Sequence, residues 1–170
     1  MITITYDDRE VQSALAKLSG RLKNMRPALA AIGQAVRSDI MERFDTSTAP
    51  DGSRWQPLTM AAIISRARRS AGSGLKKRRS ATLRRFASGA KPLLDTGALR
   101  NSVRVASVTD SAVSVSAGGG NRDMIAAIHN FGGNAGRGRK TRIPARPFMG
   151  VSAEGKAEIF AIIRRHLEAA

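Results

Sequence analysis

Two histidines and thirteen carboxylates are the side chains of this sequence best suited to proton transfer or metal binding, and their spacing favours neither. His129 and His166 stand far apart, and neither falls in a His-Glu-x-x-His pattern or another metal-ligand spacing. The acids are scattered, with no paired-carboxylate or two-metal cluster. There is no Gly-x-Ser-x-Gly elbow and no Gly-x-x-x-x-Gly-Lys-Ser/Thr phosphate loop, and Gly118-Gly119-Gly120 reads as a turn. The absence of cysteine removes thiol nucleophiles, disulfides and Cys-based zinc or iron–sulfur sites. The expectation is a protein that is not an enzyme and uses neither metal nor cofactor. His129, on a short apolar stretch, fits a packed imidazole satisfied by a backbone hydrogen bond better than an acid–base catalyst. His166, near the end of the last helix, is favourably placed against the negative end of the helix dipole.

The chemistry the chain does offer is positive charge. It carries 29 Lys and Arg against 13 Asp and Glu, a formal net charge of +16. Such an excess attracts polyanions, either DNA or acidic protein surfaces. From Ala61 to Leu94 there are ten basic residues and no acid: Arg66, Arg68, Arg69, Lys76, Lys77, Arg78, Arg79, Arg84, Arg85 and Lys91. A second group, Arg137, Arg139, Lys140, Arg142 and Arg146, also lacks an acid. These runs read either as phosphate contacts or as solvated loops, and the total charge tips the balance toward binding. With only Phe86 beside the first run, DNA contact would be electrostatic and independent of base sequence.

The elements that must position these groups read as α+β, with a small antiparallel sheet packed against long N-terminal and C-terminal helices and a long basic loop inserted. Residues 1–170 form one domain, in which 46–96 is an extended insertion and 61–94 its strongly basic part. Ile2–Tyr6 alternates like a short strand. Asp7 or Asp8 can cap a helix carrying Val11, Leu15, Leu18, Leu22 and Met25, a stripe that needs a partner. Pro27 suits the first turn of a second helix with Leu29, Ile32, Val36, Ile40 and Phe44, and the two form either a hairpin or one kinked helix. Met60–Arg68 has the pattern of a short helix inside the otherwise loop-like insertion. Val103 and Val105 alternate up to Thr109-Asp110-Ser111, and Val113 and Val115 alternate after it, which predicts a hairpin. Met124–Asn130 is a short helix stopped by glycine, Ile143–Met149 is extended between Pro144 and Pro147, and Ser152 caps a last helix with Ile159, Ile162, Ile163 and Leu167. Trp55, in a polar stretch, is either a plug over the core edge or an interface anchor. No apolar stretch approaches the roughly 20 residues of a membrane span, and the start has no signal-peptide pattern, so assembly in the cytoplasm is expected.

Four short motifs occur in a telling order. They are Pro50-Asp51-Gly52-Ser53-Arg54-Trp55-Gln56-Pro57-Leu58 after Phe44, then Leu94-Asp95-Thr96-Gly97-Ala98-Leu99-Arg100-Asn101-Ser102, Ala127-Ile128-His129-Asn130-Phe131-Gly132, and Ile143-Pro144-Ala145-Arg146-Pro147-Phe148-Met149-Gly150. Together they resemble the phage virion-morphogenesis, or tail-completion, family along nearly the whole chain. The departure is the long basic insertion between Leu58 and Leu94. The resemblance implies a virion protein of the neck or tail terminus that forms a ring, six-fold by expectation, beside connector and tail-tube proteins, with DNA as a possible occupant of the channel and no membrane partner. It implies structural or subunit-interface roles for Trp55, Pro57, Leu58, Asp95, Thr96, Gly97, Leu99, His129, Phe131, Gly132, Pro144, Arg146, Pro147 and Phe148. Asp95 is suited to accept backbone hydrogen bonds in a tight turn at Gly97.

Overall fold

A computed structural model describes residues 9–71, 89–136, 138 and 141–168. The expected strand Ile2–Tyr6 and the caps Asp7 and Asp8 lie outside the described residues. The chain is α+β, as its patterning indicates. Helix α1 spans Arg9–Lys23, with Glu10 in its first turn and Arg21 and Lys23 in its last, each sign complementing the helix dipole. A break at Asn24–Met25 leads into α2, Arg26–Thr46, with Pro27 in its first turn. Ser47 in the left-handed conformation (φ 58°) ends α2 and returns its N–H to the Arg43 carbonyl.

Within the insertion, α3 forms over Met60–Ala71. A single turn, α4, covers Ala98–Asn101, and the antiparallel hairpin β1 (Arg104–Val108) and β2 (Val113–Ser116) follows, bulged between Val105 and Ser107. Its turn closes through Thr109, whose N–H donates to Ala112 O at 2.8 Å. Helix α5 (Arg122–Phe131) leads into a second two-stranded sheet, β3 (Gly133–Ala135) with β4 (Thr141–Ile143), and α6 runs over Ala153–Glu168. Among the described residues the strands form two two-stranded antiparallel sheets rather than one.

Helix α2 is the central element, lying against the β1–β2 hairpin and along α6. Ile40 and Phe44 on α2 enter one core with Ala49, Trp55, Leu93, Leu99, Val103, Ala126 and Phe148. Phe44 stacks edge-on against Trp55 at 5.7 Å and tilted against Phe148 at 5.2 Å, an aromatic cluster in a chain of few aromatics. Trp55 is thus a plug in the interior. Helix α1 meets α6, where the His166 imidazole donates to Arg21 O at 3.4 Å and Arg21 donates to Leu167 O. His166 therefore ties two helix ends together. Leu15, Leu18 and Leu22 of the α1 stripe remain exposed.

Both ends of the insertion are ordered, where composition alone predicts a solvated loop. Arg66 donates to Lys91 O at 2.8 Å and Leu94 O at 3.2 Å, and Leu93 is buried. These bonds fasten α3 to the chain that re-enters the core at Leu93.

Candidate partner-binding groove

The Ile143–Gly150 segment is gripped by side chains from three elements. Proline cannot donate its amide, so this segment enters no sheet beyond Ile143 and must find other partners for its polar backbone. Trp55 Nε1 donates to Pro147 O at 2.8 Å. The Asn130 side-chain oxygen accepts the N–H groups of Phe148 and Met149, each at 3.0 Å. Arg43, only 3% exposed, donates to Phe148 O and Gly150 O at 2.8 Å each and pairs with Asp39 at 2.5 Å. Burial lowers the Arg43 pKa and Asp39 opposes that shift.

Arg146 faces the other way along the same segment. It is 5% exposed, and its guanidinium donates to Gln56 O at 2.8 Å and Pro57 O at 3.2 Å while its N–H donates to His129 O at 2.8 Å. Its described partners are all carbonyls. Burial and the nearby Arg66 lower its pKa. Gly132 (φ 76°) allows the close approach of α5 to this segment, since a Cβ there would lie 2.9 Å from Ala145 N.

Above this scaffold lies a groove of about 1090 Å³, walled by α3, the end of α5, the β3–β4 hairpin and residues 143–146. Arg66, Arg69, Arg142 and Arg146 line it together with Leu58, His129, Phe131, Gly132 and Pro144. Asp95 neutralises part of the charge, pairing with Arg69 at 2.5 Å and with Arg66 at 3.8 Å. Asp95 therefore meets guanidinium groups rather than the backbone N–H donors expected of it, because α3 folds back over the turn. Burial lowers the Arg66 pKa, with Asp95 opposing and Arg69 reinforcing the shift. Arg142 is exposed on β4, and Phe131, 79% exposed, forms an aromatic rim.

His129 Nδ1 is buried with no hydrogen-bond partner among the described residues, a departure from the expected backbone-bonded imidazole. Burial first, then Arg146 and Arg66, push its pKa down, so the neutral ring is favoured. Among the described residues no group of three or more His, Cys, Asp or Glu is placed to hold a metal ion, and no helix is long and apolar enough to cross a membrane.

The other sequence candidates fall in several places. Arg68 is exposed on α3, outside the groove. Lys76, Lys77, Arg78, Arg79, Arg84, Arg85, Arg137, Arg139 and Lys140 lie outside the described residues. Trp55, Leu99 and Phe148 are core, whereas Pro57, Asp95, Thr96 and Pro147 are exposed and Gly97 is half-buried. Sequence reasoning passed over Arg43 and Asn130, although both stand on helices whose apolar spacing places them beside Phe44 and Ala126 on the inward face.

The model of the phage virion morphogenesis family matches residues 6–168 of this chain. The chain is similar to the Mu-like prophage FluMu G protein 2 of Haemophilus influenzae, with 30% identity over 169 residues, covering 99% of this chain and 97% of that protein. It is also similar to a protein described as the capsid assembly protein G of Escherichia phage Mu, with 42% identity over 52 residues, covering 30% of this chain and 33% of that protein. No solved structure matches the chain.

Proposed function

The chain belongs to the phage virion morphogenesis family and has a role in virion assembly, and from that premise we propose that it is a ring subunit of the neck or tail terminus, completing the tail and joining it to the DNA-filled head. In this reading it acts without catalysis, in a closed ring that is six-fold as the family resemblance implies, against connector and tail-tube proteins. The observation that carries the reading is the convergence of the motif segments. The residues of Trp55–Leu58, Asn130–Gly132 and Ile143–Gly150 build one rigid scaffold beneath one open, Arg-lined groove. A scaffold so braced presents a fixed surface to neighbouring virion parts, as a structural joint requires. The relative named for capsid assembly fits a protein acting where the head is finished.

The net charge of +16 favours a second reading, a sequence-independent nucleic-acid-binding protein. One experiment separates the two. Purified protein is mixed with tail tubes and viewed by electron microscopy, and DNA retention is measured in parallel across a salt series. The joint reading expects protein capping tube ends and weak DNA binding. Bare tubes together with tight, steeply salt-dependent DNA binding would overturn it.

A further inference from the structure

We infer that the Arg-lined groove is the socket of a head-to-tail contact with a second copy of this chain, whose α2–α6 face supplies the carboxylates. The inference rests on the ring reading above and names the faces that would close the ring.

The chain has thirteen acids, and five of them, Asp39, Glu42, Asp45, Glu154 and Glu158, line a single groove of about 610 Å³ between α2 and α6. Such a concentration gathers carboxylates, with Arg100 beside them, on one face of a protein of net charge +16. Asp39 and Asp45 are spent on Arg43 and Arg100 of the same chain, and Glu158 lies 3.6 Å from Arg165. Glu42 and Glu154 are exposed and have no ion pair among the described residues. On the Arg-lined groove the mismatch is reversed. Arg142 is exposed with no carboxylate partner among the described residues, and Arg146 meets only carbonyls. Phe131 stands at its rim as an exposed aromatic, the residue type that concentrates binding energy at subunit contacts.

The two grooves share no residue. A contact between them is therefore heterologous: each copy offers a socket to one neighbour and an acidic face to the other, and such contacts close into rings when the rotation permits. DNA as the occupant would account for Arg142 but leave the acidic face without a counterpart. A second copy accounts for both with one contact.

The test uses the full chain and its oligomeric state by sedimentation velocity at low salt. Arg142→Glu alters the socket, and Glu42→Lys with Glu154→Lys alters the acidic face. Wild-type protein is expected to self-associate, and each altered protein to do so at least about tenfold more weakly, since like charges brought together cost several kcal/mol. An equimolar mixture of the two is expected to associate more strongly than either alone, because each retains one intact face for the other and the two reversed faces are opposite in charge. Should a reversal lower the melting temperature, Arg142→Gln and Glu42→Gln with Glu154→Gln repeat the comparison without added charge. A monomeric wild type, altered proteins that assemble normally, or a mixture that does not pair would each overturn the contact. Unchanged assembly with lost DNA retention in Arg142→Glu would reassign the groove to phosphate. Capping of tail tubes is read separately, so this contact can fail while the neck reading stands.

Discussion

Arg43 and Asp39, one helical turn apart on α2, form an ion pair at 2.5 Å that also fastens a distant segment. Arg43 reaches the carbonyls of Phe148 and Gly150, and the Ser152 hydroxyl donates to Asp39 at 3.2 Å. A pair made within one helix thus buckles the Pro147–Ser152 stretch against it, and that stretch leads directly into α6. The buried guanidinium is compensated by one carboxylate and two carbonyls, which meets the requirement that a buried charge be paired and hydrogen-bonded.

Replacing Arg43 with Ala leaves Asp39 without its cation and the carbonyls of buried Phe148 and of Gly150 without this donor. The expected loss is about 3–5 kcal/mol, the range for breaking a buried pair from one side. Arg43→Lys keeps the charge but cannot reach all three acceptors from a single ammonium, so an intermediate loss of roughly 1–3 kcal/mol is expected. Urea denaturation of the two proteins gives both numbers, and equal stabilities for wild type and Arg43→Ala would show that the buckle contributes nothing.

Trp55→Phe removes the Nε1–H bond to Pro147 O while retaining an aromatic ring against Phe44. The expected cost is about 1 kcal/mol, the net contribution of one hydrogen bond whose acceptor can turn to water, whereas Trp55→Ala, which also opens a cavity, should cost about 3–5 kcal/mol. As the sole tryptophan, Trp55 reports its own surroundings: native fluorescence should be blue-shifted and move to the red in the same urea transition.

The helices α2, α5 and α6 and the β1–β2 hairpin are legible because apolar spacing decides them. Ile40 and Phe44 sit inward four residues apart, and Val105 and Val115 face each other across the hairpin. Arg43 was not legible, since an arginine inside a helix reads as solvent-facing. Its burial is decided by carbonyls more than a hundred residues away. Strand β3, Gly133-Asn134-Ala135, has no strand-favouring residue and forms only by pairing with Thr141–Ile143. The short helix around Arg66 is legible from its spacing, but its fastening is not, because the acid that meets Arg66, Asp95, lies well beyond the local window. The spacing of the α1 stripe matches the helix that forms, while Leu15 and Leu22 stay exposed on it.

Acidification should destabilise the fold through His129. Its folded pKa is lowered below 6.5 by burial, Arg146 and Arg66, so the unfolded chain binds this proton more readily than the folded one. The stability tied to the neutral ring is complete above the unfolded value, about 6.5, and is lost as pH falls from there toward the lowered folded value. Melting temperatures measured between about pH 7.5 and pH 5 should fall, and the fall should be shallower in His129→Asn, which cannot titrate. An identical slope in both proteins would place the proton elsewhere.

Gly33 lies in the middle of α2, where Ala is intrinsically preferred by about 1 kcal/mol. That preference should be reversed here. A Cβ at Gly33 would come within 2.7 Å of Val113 Cγ2 and 3.1 Å of Val105 Cγ1, because the helix rests directly on the β1–β2 hairpin at this point. Valine is stiff at χ1, so neither side chain can turn aside cheaply, and the hairpin must move away from the helix. Gly33→Ala is therefore expected to destabilise the protein by about 1–3 kcal/mol, the usual cost of overpacking. Gly20→Ala is the control: that position on α1 has no atom within 4 Å of an added Cβ, and the same substitution should stabilise the helix. Paired thermal melts decide the matter. If both substitutions raise the melting temperature, α2 does not rest on the hairpin as closely as the 2.7 Å approach requires.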